Sequence, residues 1–355
     1  MIEKTVDKKK ICVLFCGGTI SMARTPETGI LEPAKTAEEL LSLIPEVRKI
    51  VDLDIINLFN IPSSNMASLH WQQIARTVYD NYEKYDGFVI THGTDTMTNT
   101  GTALSFALGD KLNKPIVLTG SQAIPDVIGT DAKFNLVNAF RAAASDIAEV
   151  MICFGHYVLR ANRSVKISES DYNAYKSPAF PPLSLIRPEI EWSHFARCKK
   201  NIDEKLELNN EFEKGIFSTS FSSGMTPNMI EALLNSHDLK GIVFESLGAG
   251  NVPESFLPII KKAVSKGIPV VVTSPFLGGI VDMKGMDITG VTAVNAGAIP
   301  TGDMTDVASS IKLMWVLARI NKMMAEGKAN NADKIKLVKN MMQHNYIGEI
   351  THGTK

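Results

Sequence analysis

Apolar residues in this chain come in short unbroken runs, each followed by a turn of small polar residues. Residues 11–16 read Ile-Cys-Val-Leu-Phe-Cys and run into Gly17-Gly18-Thr19-Ile20. Residues 86–90 read Asp-Gly-Phe-Val-Ile and run into Thr91-His92-Gly93-Thr94-Asp95-Thr96-Met97. Residues 114–119 run into Gly120-Ser121-Gln122. Runs of this length without alternation predict strands buried on both faces. Residues 52–58 and 150–154 predict two more strands. Between the strands, apolar residues recur at helical spacing over 36–44, 70–82, 96–111 and 134–144. The first of these helices opens on Thr36-Ala37-Glu38-Glu39, a capping-box pattern. Strand alternating with helix predicts right-handed crossovers and a mostly parallel sheet covered on both faces. Residues 21–35 hold Pro26, Gly29 and Pro33 and predict a loop, mobile and placed to cover a site.

From about residue 189 to 214 the pattern turns polar, with Lys199-Lys200-Asn201-Ile202-Asp203-Glu204-Lys205 and Asn209-Asn210. A linker or exposed hairpin is expected there. A second α/β unit follows, with strands over 215–219, 241–245 and 269–273. Its helices are expected over 228–236, 255–266 and 303–322, and an amphipathic tail over 333–342 closes it. The fold class is therefore α/β with two domains. A larger N-terminal doubly wound, mostly parallel sheet spans 1–190, a linker 191–214, and a smaller parallel-sheet domain 215–355. Ser246-Leu247-Gly248-Ala249-Gly250-Asn251-Val252-Pro253 is a Gly-rich turn after a strand. No lysine follows it at phosphate-loop spacing, so nucleotide binding is not expected.

Composition narrows the picture. At 355 residues, both domains can hold a core. Hydrophobic residues at 45% and charged residues at 21% describe a folded chain. Net charge is −1, from 37 basic and 38 acidic residues. That leaves no basic excess for a phosphate backbone, so no nucleic-acid partner is expected. The four cysteines make no CxxC pair and no cluster with histidine, which argues against a zinc site or a disulfide framework. Cys12, Cys16 and Cys153 lie in apolar runs and are expected as buried thiols, a usage that suits a reducing cytoplasm. No run is long enough to span a membrane, and the one at 11–16 is too short for a signal-peptide core.

The polar turns set out candidate chemistry. Thr19 and Thr94 each stand where a buried strand ends, and Thr94-Asp95 lies beside the free N–H groups of a helix start. That setting suits an anionic ligand or a developing oxyanion. The plainer alternative is that each residue only caps a turn. Gly17 and Gly18 allow a sharp turn and a close approach. Arg160-Ala161-Asn162-Arg163-Ser164-Val165-Lys166 is a cationic patch ahead of an irregular segment through Tyr172, Tyr175 and Pro178. Lys166 reads either as a solvated surface lysine or as part of a site.

Together, Gly17-Gly18-Thr19-Ile20 and Thr91-His92-Gly93-Thr94-Asp95-Thr96-Met97 resemble the two signature motifs of bacterial-type L-asparaginases. The likeness continues in order through Ser63-Ser64, Leu118-Thr119-Gly120-Ser121, Asn162-Arg163-Ser164-Val165-Lys166, Gly248-Ala249-Gly250-Asn251 and Gly302-Asp303-Met304-Thr305. It is most similar to the cytoplasmic, type I branch. The resemblance implies hydrolysis of L-asparagine to L-aspartate and ammonia, with L-glutamine open as a second substrate. It implies Thr19 as nucleophile, forming a β-aspartyl ester, and Thr94, Asp95 and Lys166 as a second catalytic group. Ser63 and Ser64 are implied to hold the substrate α-carboxylate, Asp95 the α-ammonium, and Asn251 to reach a neighbouring subunit's site. A lysine acting as base needs a lowered pKa, which burial would supply. The family assembles as homodimers or homotetramers with sites near the subunit interface, and uses no metal or organic cofactor.

One departure stands out. The loop after GGTI reads Thr25-Pro26-Glu27-Thr28-Gly29-Ile30-Leu31-Glu32-Pro33 and lacks the tyrosine that relatives place against the nucleophile. Glu27 and Glu32 are its only ionisable residues. Asn65 stands where many relatives have an acidic residue. Two alternatives follow: a catalytically weak amino-acid-binding sensor on the same scaffold, or an asparaginase-like amidotransferase subunit. The latter carries an extra domain before the GGTI strand, whereas ten residues precede that strand here, so the expectation is against it.

Overall fold

The computed structural model describes residues 8–25, 27–33, 35–200, 204–281 and 288–351. Pro26 of the expected loop and Asn201-Ile202-Asp203 of the polar stretch lie outside them. The chain forms two compact units, Met1–Asn210 and Glu211–Lys355.

The first apolar run is β1 (Lys9–Phe15). Within the stretch expected as a loop, β2 (Met22–Arg24) and β3 (Leu31–Pro33) instead pair as an antiparallel hairpin. Its turn is closed by the Thr25 N–H donating to Ile30 O at 2.9 Å and the Gly29 N–H to Thr25 O at 2.8 Å. Strands of three residues are too short to show a period of two. Helix α1 (Ala37–Ser42) begins with the expected capping box: the Glu39 N–H donates to Thr36 Oγ1, and the Thr36 N–H to Glu39 Oε2 at 2.8 Å. There follow β4 (Val51–Asn57), α2 (Ser68–Asp80), β5 (Gly87–Thr91), α3 (Met97–Leu108), β6 (Ile116–Thr119), α4 (Ala132–Ala143) and β7 (Val150–Phe154). Five short strands complete the unit: β8 (Tyr157–Arg160), β9 (Val165–Lys166), β10 (Tyr175–Lys176), β11 (Ser184–Leu185) and β12 (Glu191–Trp192).

The main sheet has eight strands in the order β12-β11-β8-β7-β6-β5-β1-β4. From β4 to β7 every neighbour is parallel, and the β8, β11 and β12 edge is antiparallel. On one face, Val13, Val89, Val117 and Met151 pack with Leu40 and Leu41 of α1 and Leu136 and Phe140 of α4. On the other, α3 lies close enough that a Cβ on Gly101 would sit 3.6 Å from the Leu118 side chain. The continuous apolar runs follow from this double covering. The topology also sets where a ligand can go. The chain leaves β1 for the edge strand β4, then returns to lay β5 on the other side of β1. Connections that part in opposite directions open a crevice at the carboxyl ends of β1 and β5.

The second unit holds β13 (Ile216–Ser220), α5 (Pro227–Leu233), β14 (Gly241–Glu245), α6 (Leu257–Ser265), β15 (Val270–Thr273), α7 (Ile288–Asn295) and β16 (Ile299–Pro300), then α8 (Asp306–Ala325) and α9 (Lys334–Gln343). Its four strands are parallel and lie in chain order. Helix α8 starts three residues later than its apolar spacing predicts because Thr305 caps it, accepting the Ala308 N–H at 3.0 Å. Residues after α9 fold back on α8. Lys312 Nζ donates to Glu349 Oε1 and to His344 O, both at 2.6 Å, and both charged side chains of this pair are fully buried. The Glu349 carboxylate also accepts the Tyr346 and Ile347 N–H groups.

Candidate active site

Three strand ends meet through bare backbone. Gly18, just past β1, has φ +95°, and a Cβ on it would lie 2.3 Å from Gly93 N and 2.5 Å from Gly93 Cα. A Cβ on Gly93 would in turn lie 2.6 Å from both Cβ and Oγ of Ser63. Only glycine fits at both places, because any side chain would push the loops apart. Thr19 is thereby brought beside the turn after β5, in the crevice described above. Thr19 is half-buried and opens a single 3-10 turn, Thr19–Ser21. The Ser21 hydroxyl fixes that turn on Gly18 O at 2.8 Å and Asn60 Oδ1 at 2.9 Å.

His92 secures the next strand end. Its ring is buried, with Nδ1 2.7 Å from Gly93 O and Nε2 2.8 Å from Thr100 Oγ1. A carbonyl can only accept, so Nδ1 carries the proton and Nε2 accepts from the threonine. Burial holds the imidazole down to about 4, against a smaller opposing pull from the Gly93 carbonyl, so the ring is neutral at ordinary pH. His92 is thus a strut that fixes the Gly93 peptide.

Thr94, Asp95 and Lys166 come together. Lys166 Nζ donates to Thr94 Oγ1 at 2.8 Å and to Asp95 Oδ1 at 2.7 Å. Thr94 is buried and the Lys166 side chain nearly so, whereas the Asp95 side chain is 69% exposed. The ammonium is therefore held under the threonine while one side of the carboxylate faces solvent. Ser63 is buried. Its hydroxyl accepts the Asp95 N–H at 3.3 Å, and its carbonyl accepts the Thr96 hydroxyl at 2.8 Å. Ser64 and Asn65 are exposed. Asn251 belongs to the second unit, in a tight turn after β14 where Leu247 and Asn251 exchange backbone hydrogen bonds at 3.0 and 2.8 Å. Among the described residues none hydrogen-bonds the Thr19 hydroxyl. Glu27 and Glu32, the loop's two carboxylates, are both exposed.

Tyr175 also reaches the site; the sequence places it in the irregular segment after the cationic patch without singling it out. It lies on β10, directly opposite Lys166 of β9, and its phenol donates to Thr94 O. The ring is buried and packs edge-on against Phe154, with centroids 5.0 Å apart. Burial first, then the nearby Asp95 charge, hold the phenol well above its usual range, so it stays protonated.

The assembly offers two hydroxyls at adjoining strand ends, an ammonium on one of them, a carboxylate open to solvent and backbone N–H groups of tight turns. These are the parts of acyl transfer by a hydroxyl nucleophile. Among the described residues no group of three or more His, Cys, Asp or Glu side chains is placed to hold a metal ion. No described helix is long and apolar enough to cross a membrane. Cys12, Cys16 and Cys153 are buried thiols pushed up by burial, Cys12 and Cys153 to about 12, and take no part.

Comparison with known proteins agrees with this fold. Residues 10–197 match the family model described as asparaginase, N-terminal, and residues 216–327 that of the glutaminase/asparaginase C-terminal domain. The chain is 34% identical, over its whole length and 80% of the relative, to a glutamyl-tRNA(Gln) amidotransferase subunit of Pyrococcus abyssi. It is 36% identical, with the same coverage, to the corresponding amidotransferase subunit of Pyrococcus furiosus. Among solved structures it resembles the L-asparaginase of Thermococcus kodakarensis, with a TM-score of 0.85 and 29% identity over 96% of this chain and 99% of that one. L-asparaginase I of Vibrio cholerae matches with a TM-score of 0.84 and 31% identity over 97% and 99%.

Proposed function

The chain belongs to the asparaginase family, and from that premise we propose that it hydrolyses the side-chain carboxamide of an amino acid and releases ammonia. The observation that carries this reading is Lys166 Nζ, at 2.8 Å from Thr94 Oγ1 and 2.7 Å from Asp95 Oδ1, across more than seventy residues of chain. In this reading Thr19 Oγ attacks the amide carbon, the nitrogen leaves as ammonia, and the acyl ester on Thr19 is then cleaved by water. Thr94 and Lys166 relay protons to the leaving nitrogen and from the water. Asp95 receives the α-ammonium on its solvent-facing side, and Ser63 and Ser64 receive the α-carboxylate. Asn251 is assigned to the substrate from a neighbouring subunit, in a homodimer or homotetramer. The Thr19 environment supports a nucleophile whose activating group arrives with the substrate or the hairpin.

Two destinations for the ammonia have support. Similarity to L-asparaginases over almost the whole of both chains supports free L-asparagine, released as L-aspartate. Higher identity to amidotransferase subunits supports the other, in which the nitrogen passes to glutamyl-tRNA(Gln) within an assembly. The second reading, against which the sequence expectation stood, is supported by identity over the whole of this chain and four fifths of those relatives.

The deciding experiment measures ammonia release from L-asparagine and L-glutamine by the isolated chain, beside Thr19→Ala and Thr94→Ala. Rapid asparagine turnover lost in both variants supports the asparaginase. Slow turnover that rises only with glutamyl-tRNA(Gln) and partner proteins supports the amidotransferase. Saturable asparagine binding without turnover, kept in Thr19→Ala, overturns both in favour of a sensor.

A further inference from the structure

Thr94 is gripped at two points by one hairpin. β9 and β10 are two residues each, paired antiparallel with Tyr175 opposite Lys166. Side chains directly across such a pair leave the same face and stay neighbours. Here both reach the same residue: the lysine bonds the Thr94 side-chain oxygen and the tyrosine its main-chain oxygen. The Thr94 carbonyl lies in the turn between β5 and α3, ahead of the first helical residue, Met97, and outside the α3 ladder. The other end of the same peptide is held as well, its Asp95 N–H on Ser63 Oγ at 3.3 Å. The Tyr175 phenol is buried and protonated, so it donates to this carbonyl at any working pH.

We propose that Tyr175 is a positioning residue: by fixing the Thr94 peptide it sets where the Thr94 hydroxyl stands relative to Lys166. This rests on the reading of Thr94 as part of the reacting group. A peptide free to rock would move the hydroxyl out of line, while the Asp95 carboxylate stays tied to Lys166 Nζ and continues to bind substrate with Ser63 and Ser64. The role therefore shows in turnover rather than in binding. It is distinct from the tyrosine the loop lacks, because this phenol is committed to Thr94 and not to Thr19.

The test is Tyr175→Phe, which keeps the ring against Phe154 and removes only the donor. Ammonia release from asparagine and glutamine is followed to separate kcat from KM. The exchange rate of the Asp95 amide hydrogen is measured in the substrate-free protein. The expected result is a kcat lower by about tenfold with KM within twofold, since small misplacements of reacting groups cost rate steeply. Asp95 amide exchange is expected to quicken by about tenfold as its peptide loosens. A kcat within twofold of wild type overturns the proposal, even if the variant is less stable. If the wild type turns over neither amide, the functional reading fails instead, and unchanged Asp95 exchange in Tyr175→Phe overturns the clamp by itself.

Discussion

In both units several parallel strands end in hydroxyl residues. In the first, β1, β5 and β6 run into Thr19, Thr94 and Ser121; in the second, β13, β14, β15 and β16 run into Ser220, Ser246, Thr273 and Thr301. The register places Ser220, Glu245 and Thr273 side by side across their sheet, and continuing it from Val272 and Pro300 sets Thr301 beside Thr273. The second fringe bonds to itself: the Ser246 hydroxyl donates to Thr273 O at 2.9 Å, and that of Ser274 to Gly248 O at 3.0 Å. Ser220 bonds Glu245. Thr273 Oγ1 and Thr301 Oγ1 are buried with no partner among the described residues. Strand-end hydroxyls are thus not enough for a site. The first sheet adds a reversal of strand order, glycines that let loops touch, and a lysine brought in from outside the parallel strands. The second sheet runs in chain order and opens no such crevice.

The largest test of that difference is the lysine. Lys166→Met is expected to cut ammonia release by about 10²–10⁴-fold, the scale of a lost proton-transfer group, with thermal unfolding little changed. Turnover above a tenth of wild type would mean that the lysine is not what separates the two sheets. Next comes the glycine contact. Gly18→Ala places a methyl at φ +95° against Gly93 and is expected to cost about 3 kcal/mol or more in urea unfolding, with activity lost alongside.

The third test uses pH. The His92 imidazole is held down to about 4 from an ordinary 6.5. The unfolded chain therefore takes up a proton that the folded one refuses. The stability this group contributes is fully present above pH 6.5 and is lost as pH falls toward 4, in all on the order of 3 kcal/mol. Urea midpoints of wild type should drop over that window, and those of His92→Gln should drop less. The smallest effect belongs to the second fringe. Thr273→Val is expected to shift stability by less than about 1 kcal/mol, in either direction, because it removes a hydroxyl that has no partner. Its kcat should equal that of wild type; a fall in kcat would place chemistry in the second sheet as well.

The parallel strands were legible because burial on both faces writes itself as unbroken apolar runs: residues 11–16, 86–90 and 114–119 mark β1, β5 and β6. The capping box at Thr36 and Glu39 was legible for a similar local reason. The hairpin of β2 and β3, and the two-residue strands β9 to β12, were not, since two or three residues are too few to show the alternation of a strand. Thr19, Thr94 and Asp95 were marked by their place after glycine turns. Tyr175 was not marked, because its meaning is a bond to a carbonyl 81 residues away. Helix α7 and strand β16 left too short a pattern to predict.

The buried pair of Lys312 and Glu349 sets a clock on the making of this protein. The two residues are 37 positions apart, and the lysine is met first. At about 5–20 residues per second, synthesis leaves some 2–7 s in which α8 exists without its counterion. Leaving one member of a buried pair without the other costs about 3–5 kcal/mol, so packing the face of α8 around Lys312 is disfavoured by that amount until the glutamate is available. Any truncation that removes Glu349 is expected to carry the same penalty.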